Sequence, residues 1–272
     1  MTSIRDLIDS AQIPTHEAEQ LVLGLLHRDR AWLFTHGAEA TAGDQLPAIR
    51  AAINRRCAGE PLAYILESRS FWNLELKVTP DVLIPRPDTE LLVEWAIDCV
   101  TANQFSSCAD LGTGSGAVAL AIKSELPQCA VTGVDRSAAA LEVARHNSAT
   151  CQLSVEWLQS DWFKTLEGRQ WPLLVSNPPY IAESDPHLQR GDLPAEPTEA
   201  LVAGSDGLRD LRHLITVGPQ FLIRGGYLLV EHGWGQGEEV RELFAQAGFN
   251  GVTTRRDLGG HERVTGGVKE DG

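Results

Sequence analysis

Positive charge is scarce: 23 Lys and Arg stand against 37 Asp and Glu, for a net charge of −14. That balance excludes a protein whose affinity comes from neutralising phosphates over a broad surface, while leaving room for a local basic patch. Cysteine is also sparse. The five present (Cys57, Cys99, Cys108, Cys129 and Cys151) are scattered, odd in number and without a CxxC pair, so neither a disulfide framework nor a zinc site is indicated. A reducing cytoplasm is the expected location. No apolar stretch approaches the roughly 20 residues needed to span a bilayer, and no basic segment with an apolar core opens the chain, so a soluble, unexported protein is expected. Internal repeats and low-complexity tracts are missing too. His232 and His261 lack an HExxH-type partner, and no metal is expected.

What is present suits one α/β domain plus a smaller module, since 272 residues exceed the ~100–200 of a typical domain. Residues 2–58 read as helices. Ser3 is a cap with Asp6 as its return partner, and Ala18, Leu21, Val22, Leu25 and Leu26 form an apolar stripe at helical spacing, repeated by Leu46, Ile49, Ala52 and Ile53. Arg50, Arg55 and Arg56 read as a solvated face. From Phe71 to Val78 the apolar residues approach period two, and with a turn at Pro80-Asp81 and the run Val82-Leu83-Ile84 they predict a β-hairpin. Asp88 or Thr89 is the expected N-cap of a following helix that carries Leu91, Leu92 and Trp95. The expected division is a helical domain over 1–70, a hairpin linker over 71–84 and an α/β domain over 85–272.

Within the last part, strand and helix alternate. Cys108–Leu111 runs into Gly112-Thr113-Gly114-Ser115-Gly116 and then a helix, and these glycines let the backbone turn tightly and approach a ligand. The spacing is GxGxG rather than the GxGxxG of dinucleotide enzymes. Asp135 ends the next strand, where a carboxylate can accept from both hydroxyls of a ribose. Asp161 and Trp162 end a third strand and suit adenine, one accepting from its amine and the other offering an apolar face. The apolar run Leu173-Leu174-Val175 then stops in Ser176-Asn177-Pro178-Pro179-Tyr180. Two prolines fix the backbone after Asn177 and hold its side chain and nearby carbonyls as acceptors for a planar NH2 group. Gly112 to Gly116 together with Asn177 to Tyr180 describe an S-adenosylmethionine-dependent methyltransferase acting on an amide or exocyclic amino nitrogen. A long polar segment from Tyr180 to Gly207 reads as a lid or binding loop.

Six stretches together carry a more specific likeness: Gly59-Glu60-Pro61 with Tyr64, Leu83-Ile84-Pro85-Arg86-Pro87-Asp88-Thr89-Glu90, Asp110 to Gly116, Asn177 to Tyr180, Glu196-Pro197 with Ala200-Leu201, and Glu262-Arg263-Val264. The chain resembles the protein-(glutamine-N5) methyltransferases that modify peptide-chain release factors. That resemblance implies a Rossmann-like seven-stranded methyltransferase domain preceded by a small helical domain and a hairpin, with S-adenosylmethionine as cofactor. It also implies a release factor as the protein substrate, modified on the glutamine of its Gly-Gly-Gln motif. By it, Gly112, Thr113, Gly114, Ser115, Gly116, Asp135, Asp161, Trp162 and Asn177 contact the cofactor, and Asn177, Pro178, Pro179 and Tyr180 hold the glutamine. Asn177, Pro178 and Tyr180 are the expected catalytic residues, the first two accepting the amide hydrogens and Tyr180 packing on the amide plane. The helical domain is expected to dock the release factor. Two positions depart from the family, Glu67 for a usual glycine and Ser70 for a usual glutamate. The alternatives are a nucleic-acid adenine-N6 methyltransferase, which the acidic composition supports poorly, and a non-catalytic S-adenosylmethionine-binding regulator, which has no use for Asn177 to Tyr180.

Overall fold

The computed structural model describes residues 3–39 and 45–270, and in it the chain separates into two units, Met1–Ser68 with Arg190–Ala195 and Arg69–Gln189 with Glu196–Gly272. The first unit is helical: α1 (Ile4–Asp9), α2 (Thr15–Leu26), α3 (Arg30–His36), α4 (Leu46–Cys57) and α5 (Leu62–Leu66). Residue 2 and residues 40–44 of the expected helical span lie outside the described residues. Ser3 and Asp6 form the expected capping box, with Asp6 N–H donating to Ser3 Oγ at 3.0 Å and Ser3 N–H to Asp6 Oδ2 at 2.9 Å. Ala18, Leu21, Val22, Ile49, Ala52 and Ile53 form its core, while Leu25, Leu26 and Leu46 are only partly covered. Arg56 departs from the solvated face expected of it. Its guanidinium donates to Glu17 at 2.6 and 3.1 Å and to Asp192 at 3.2 Å, so it ties α4 to α2 and to a piece of the distant 181–207 segment.

The second unit opens with a hairpin of β1 (Ser68–Phe71) and β2 (Leu74–Lys77). Its turn is Trp72-Asn73, with Trp72 at φ +56°, and not Pro80-Asp81 as the sequence suggests. Residues 82–84 form no strand, although Val82 and Ile84 are buried. The turn is paid for by side-chain anchors: Trp72 N–H donates to Glu90 Oε1 at 3.0 Å and its indole N–H to Glu125 Oε1 at 2.8 Å. The two family departures are accommodated locally. Glu67 takes the left-handed conformation (φ +51°) that a glycine would adopt without steric cost, and the Ser70 hydroxyl donates to Glu75 at 2.6 Å.

A 3₁₀ turn, Pro87–Thr89, leads into α6 (Glu90–Asn103); Thr89 takes the expected N-cap position, but its side chain makes no capping bond. The Asp88 and Thr89 side chains have other partners, described below. The sheet contains β3 (Ser107–Leu111), β4 (Ala130–Asp135), β5 (Glu156–Gln159), β6 (Trp171–Ser176), β7 (Leu222–Glu231), β8 (Phe249–Arg256) and β9 (Glu262–Lys269). Their order is β5-β4-β3-β6-β7-β9-β8, parallel except that β9 runs antiparallel to both neighbours. Helices α7 (Ala117–Glu125), α8 (Ala138–Cys151), α9 (Arg209–Val217) and α10 (Gly237–Gln246) complete the alternation.

Both faces of the central strands are buried, which explains their unbroken apolar runs. Leu173, Val175 and Leu229 pack with Leu92, Val93 and Leu120, while Leu174, Leu228 and Val230 pack with Leu211, Leu214 and Phe244 on the other face. Each such side chain contributes about 1.5–3 kcal/mol by leaving water. The long 181–207 segment is not structureless: it carries 3₁₀ turns at Pro186–Gln189, Leu193–Ala195 and Thr198–Ala200, and Ile181 bridges to Val202. Glu196 is buried and accepts from Ile84 N–H at 3.2 Å and from the Arg86 guanidinium. That carboxylate fastens Pro197–Ala200 to the entry of the α/β unit.

Candidate active site

In a sheet of this order the direction of winding reverses between β3 and β6, and the crevice outside their carboxyl ends is where such folds bind ligands. The two strand ends are locked together by the buried Ser176 hydroxyl, which donates to Leu111 O at 2.6 Å. A cleft of about 500 Å³ opens here, within the ~300–1,000 Å³ typical of small-molecule sites. Gly112, Gly114, Asp135, Asp161, Trp162, Asn177 and Pro179 line it, joined by two stretches that the sequence did not place at the site, Pro80–Leu83 and Pro197–Ala200.

The glycine loop reaches the cleft through Gly112 and Gly114 only. Gly112 and Gly114 have φ of +74° and +55°, and a side chain on Gly112 would lie 3.2 Å from the Trp162 ring. Gly112 and Thr113 N–H groups both donate to Val134 O, at 2.8 and 2.9 Å, which folds the loop over β4. Thr113 and Ser115, expected among the ligand contacts, are buried and lie outside the cleft lining. The Thr113 hydroxyl donates to Asp110 Oδ2 at 2.5 Å, and Ser115 O accepts from Asn147 Nδ2 at 2.9 Å. Gly116 lies beneath Trp157, whose ring would stand 2.9 Å from an added Cβ. These three shape the loop from behind. Asn147, which sequence reasoning passed over as a helix residue, also exchanges two bonds with the Lys77 main chain at 2.7 and 3.0 Å.

Asp135 stands at the end of β4. Its Oδ2 accepts from Gly114 N–H at 2.8 Å and its Oδ1 from Ser137 N–H at 2.9 Å. Burial pushes its carboxyl pKa up, and these main-chain donors offset part of that. Each oxygen keeps a lone pair for a hydroxyl donor. Ser137 caps α8, accepting from Ala140 N–H at 3.1 Å. Asp161 is half exposed and paired with Lys164 at 2.5 Å, a contact that holds its pKa below the usual carboxylate range.

At the β6 end, the Asn177 amide nitrogen donates to Thr89 Oγ1 at 3.0 Å. Its side-chain oxygen has no partner among the described residues and is the acceptor left for a ligand. Pro178 is buried and outside the cleft lining, whereas Pro179 is part of it. Tyr180 also lies outside the lining; its phenol donates to Glu231 Oε1 at 3.3 Å, and its carbonyl accepts from Gln236 Nε2 at 3.1 Å. Burial beside that carboxylate pushes the phenol pKa well up. Glu231 is 1% exposed, and among the described residues its Oε2 has no hydrogen-bond partner. Burial raises its pKa to about 7, against the neighbouring Thr89 and Tyr180 hydroxyls and the charge of Arg263, while Asp88 pushes it further up. Arg263 in turn pairs with Asp88 and Asp257, both at 2.9 Å. Thr89 and Glu231 were not legible as site residues. The only signal was the position of Thr89 inside the Ile84–Glu90 motif.

Comparison with known proteins agrees with this architecture. Residues 88–192 match the methyltransferase small domain family, and residues 2–66 match the PrmC N-terminal domain family. Among solved structures, a methyltransferase from Pyrococcus furiosus superposes with a TM-score of 0.55 at 15% identity, covering 85% of this chain and 100% of that one. A 16S rRNA N2 methyltransferase from T. thermophilus, solved with AdoMet and guanosine, gives 0.55 at 18% identity over 75% of this chain and 50% of that one. These likenesses speak to the fold. The release factor glutamine methyltransferase of Escherichia coli (strain K12) is 44% identical over 95% of this chain and 93% of its own length. Those of Vibrio cholerae (46%, covering 93% and 88%) and Bordetella pertussis (45%, covering 98% and 99%) are equally similar. With full-length matches at this level over a methyltransferase sheet, the chain belongs to the release factor glutamine methyltransferase family and is an S-adenosylmethionine-dependent methyltransferase.

Proposed function

We propose that this enzyme methylates the side-chain amide nitrogen of the glutamine in the Gly-Gly-Gln motif of peptide-chain release factors, in the cytoplasm and in support of translation termination. The observation that carries the reading is the Asn177 amide, held by Thr89 with its oxygen unpartnered at the mouth of the β3–β6 crevice. S-adenosylmethionine, when bound, supplies the methyl group on a sulfonium centre. The cleft suits it: Asp135 accepts from ribose hydroxyls, Trp162 offers an indole face to adenine with Asp161 beside it, and Gly112 and Gly114 let the backbone come close. An acidic lining that includes Asp135, Asp161 and Asp210 also suits a cation.

A glutamine amide nitrogen is a poor nucleophile because its lone pair is delocalised into the carbonyl. The Asn177 oxygen accepts one of its N–H bonds, aims the nitrogen and favours pyramidalisation as positive charge develops on it; the Pro178 carbonyl, expected as a second acceptor, lies outside the cleft lining. Positioning and fixed dipoles supply most of the acceleration, and the proton leaves to water after transfer. Tyr180 acts here as support for the substrate loop and not by stacking on the amide, since its phenol is engaged with Glu231. Selecting one glutamine among the many in a cell requires surface beyond a single side chain, and the helical unit is the docking element for the release factor. The adenine-methyltransferase and regulator alternatives are not favoured by relatives named for glutamine methylation. The test is mass spectrometry of a purified release factor incubated with enzyme and S-adenosylmethionine. One added methyl on the Gly-Gly-Gln peptide is expected; an unmodified glutamine with turnover on DNA or RNA instead would refute the assignment.

A further inference from the structure

Pro80–Leu83 and Pro197–Ala200 line the cleft, yet neither stretch belongs to the strand ends that carry Asp135 and Asn177. One side chain holds both. Glu196 directly precedes Pro197, and its carboxylate accepts from the two residues that follow Leu83 most closely in that direction of contact: Oε2 from Ile84 N–H at 3.2 Å, and Oε1 from the Arg86 guanidinium. The Glu196 side chain is fully buried and that of Arg86 half-buried. A carboxylate taken out of water is tolerated only when its oxygens are paired, so this contact fixes where both stretches stand.

Beyond Glu196 the chain turns tightly, with Ala200 N–H donating to Pro197 O and Val202 N–H to Thr198 O, both at 2.9 Å. It is then tied to the residue after Tyr180: Ile181 N–H donates to Leu201 O and Ala203 N–H to Ile181 O, again at 2.9 Å. Between these two fixed ends Glu199 meets Arg136, the residue after Asp135, at 2.8 Å. Both side chains line the cleft and both are exposed. Pro197–Ala200 therefore runs from an anchor at Ile84 and Arg86 to a second one at the end of β4. The first anchor is buried and firm. The second is an exposed ion pair of the kind that holds weakly and opens readily, as a site that exchanges its cofactor after every turnover requires.

Building on the reading of the cleft as the S-adenosylmethionine site, we propose that Pro197–Ala200 is a strap across it that retains the cofactor. Arg86 and Glu196 are the residues that position the strap, and the Arg136–Glu199 pair is the latch that opens for exchange.

The test uses the full-length enzyme and reads cofactor binding directly: affinity by calorimetry, and release as loss of labelled S-adenosylmethionine into an unlabelled excess. Arg86→Met, which keeps length and loses the donors, should raise the dissociation constant about tenfold, the scale of one hydrogen bond to a charged group, chiefly as faster release. Arg86→Lys keeps a charged donor and should stand between Arg86→Met and the parent. Glu196→Gln offers one oxygen where two are used and should resemble Arg86→Met. Glu199→Arg sets like charges together and should speed release by up to about fivefold; adding Arg136→Glu reverses the pair and should restore the parent rate. In turnover the loss should fall on KM for S-adenosylmethionine and not on KM for the release factor, a split that a general loss of stability does not produce. If Arg86→Met and Glu196→Gln do not fold, Arg86→Lys and the Glu199 variants decide, and parent-like release in both overturns the strap. It is overturned equally if folded Arg86→Met binds and releases cofactor like the parent while Asp135→Ala binds it weakly, or if both KM values rise together. If Asp135→Ala also binds like the parent, it is the reading of the cleft that falls.

Discussion

At the β3–β4 end of the cleft the wall is main chain, shaped by glycines and by N–H groups that fold onto Val134 O and Asp135, whereas at the β6–β7 end it is held by side-chain pairs, Asn177 donating to Thr89 and Tyr180 to Glu231. Each end holds one deeply buried carboxylate, Asp110 and Glu231, and burial raises both pKa values to about 7. Their surroundings differ. Asp110 accepts from the Thr113 hydroxyl, while Glu231 accepts from Tyr180 and retains an oxygen with no partner among the described residues. A buried carboxylate that accepts from its own loop holds that loop in one shape, and a buried unpartnered oxygen is costly in a low-dielectric interior.

The difference is broken most severely at Asn177. Asn177→Ala is expected to cut kcat by roughly a hundredfold or more, the scale for a positioned group at a reacting centre, while calorimetry finds S-adenosylmethionine affinity nearly intact. Next in size is removal of the helical unit. The shortened chain should begin at Arg69, since Phe71 and Leu76 are 2% and 0% exposed and belong to the α/β core. That chain is expected to keep cofactor binding and to lose more than about tenfold in kcat/KM on intact release factor, with activity on a short Gly-Gly-Gln peptide little changed. Equal losses on both substrates would make the helices a support and not a dock.

Asp135→Ala tests the other end. The cofactor dissociation constant should rise about tenfold, as for a lost charged hydrogen bond, with kcat at saturating cofactor close to the parent. Unchanged affinity in a folded variant removes Asp135 from the cofactor site. The smallest effect expected is on stability. Asp110 has a folded pKa of about 7, above its ordinary 3.8, so the folded state binds the proton more tightly and gains stability that is complete below about pH 4 and lost as pH rises toward 7. Asp110→Asn should flatten that slope in urea unfolding by on the order of 1 kcal/mol between pH 5 and 8. A slope identical to the parent would mean that Asp110 titrates alike in the folded and unfolded chain.

Much of this was legible in the sequence because it depends on local pattern. Apolar runs at Leu173–Val175 and Leu228–Val230 announce strands covered on both faces, the Ser3-Asp6 pair announces a helix start, and the glycine loop with Asp135 announces a ligand site at two strand ends. The hairpin turn misled, because Pro80-Asp81 carries the stronger turn chemistry while Trp72 adopts a positive φ that only its anchors to Glu90 and Glu125 make tolerable. Thr89 misled for a related reason: a hydroxyl before a helix reads as a cap, yet its partner lies 88 residues away.

What the sequence determined by itself is the set of elements, their order and the chemistry gathered at the strand ends, since these follow from periodicity and from backbone restrictions at Gly and Pro that act between neighbours. Tertiary structure alone decided which of those residues face the cleft and which stand behind it. Thr113, Ser115 and Tyr180 lie outside its lining, and Glu196 and Glu231, remote in sequence from their partners, hold Pro197–Ala200 and Tyr180. A side chain's partner depends on register and crossover geometry across the sheet, and no spacing along the chain encodes that.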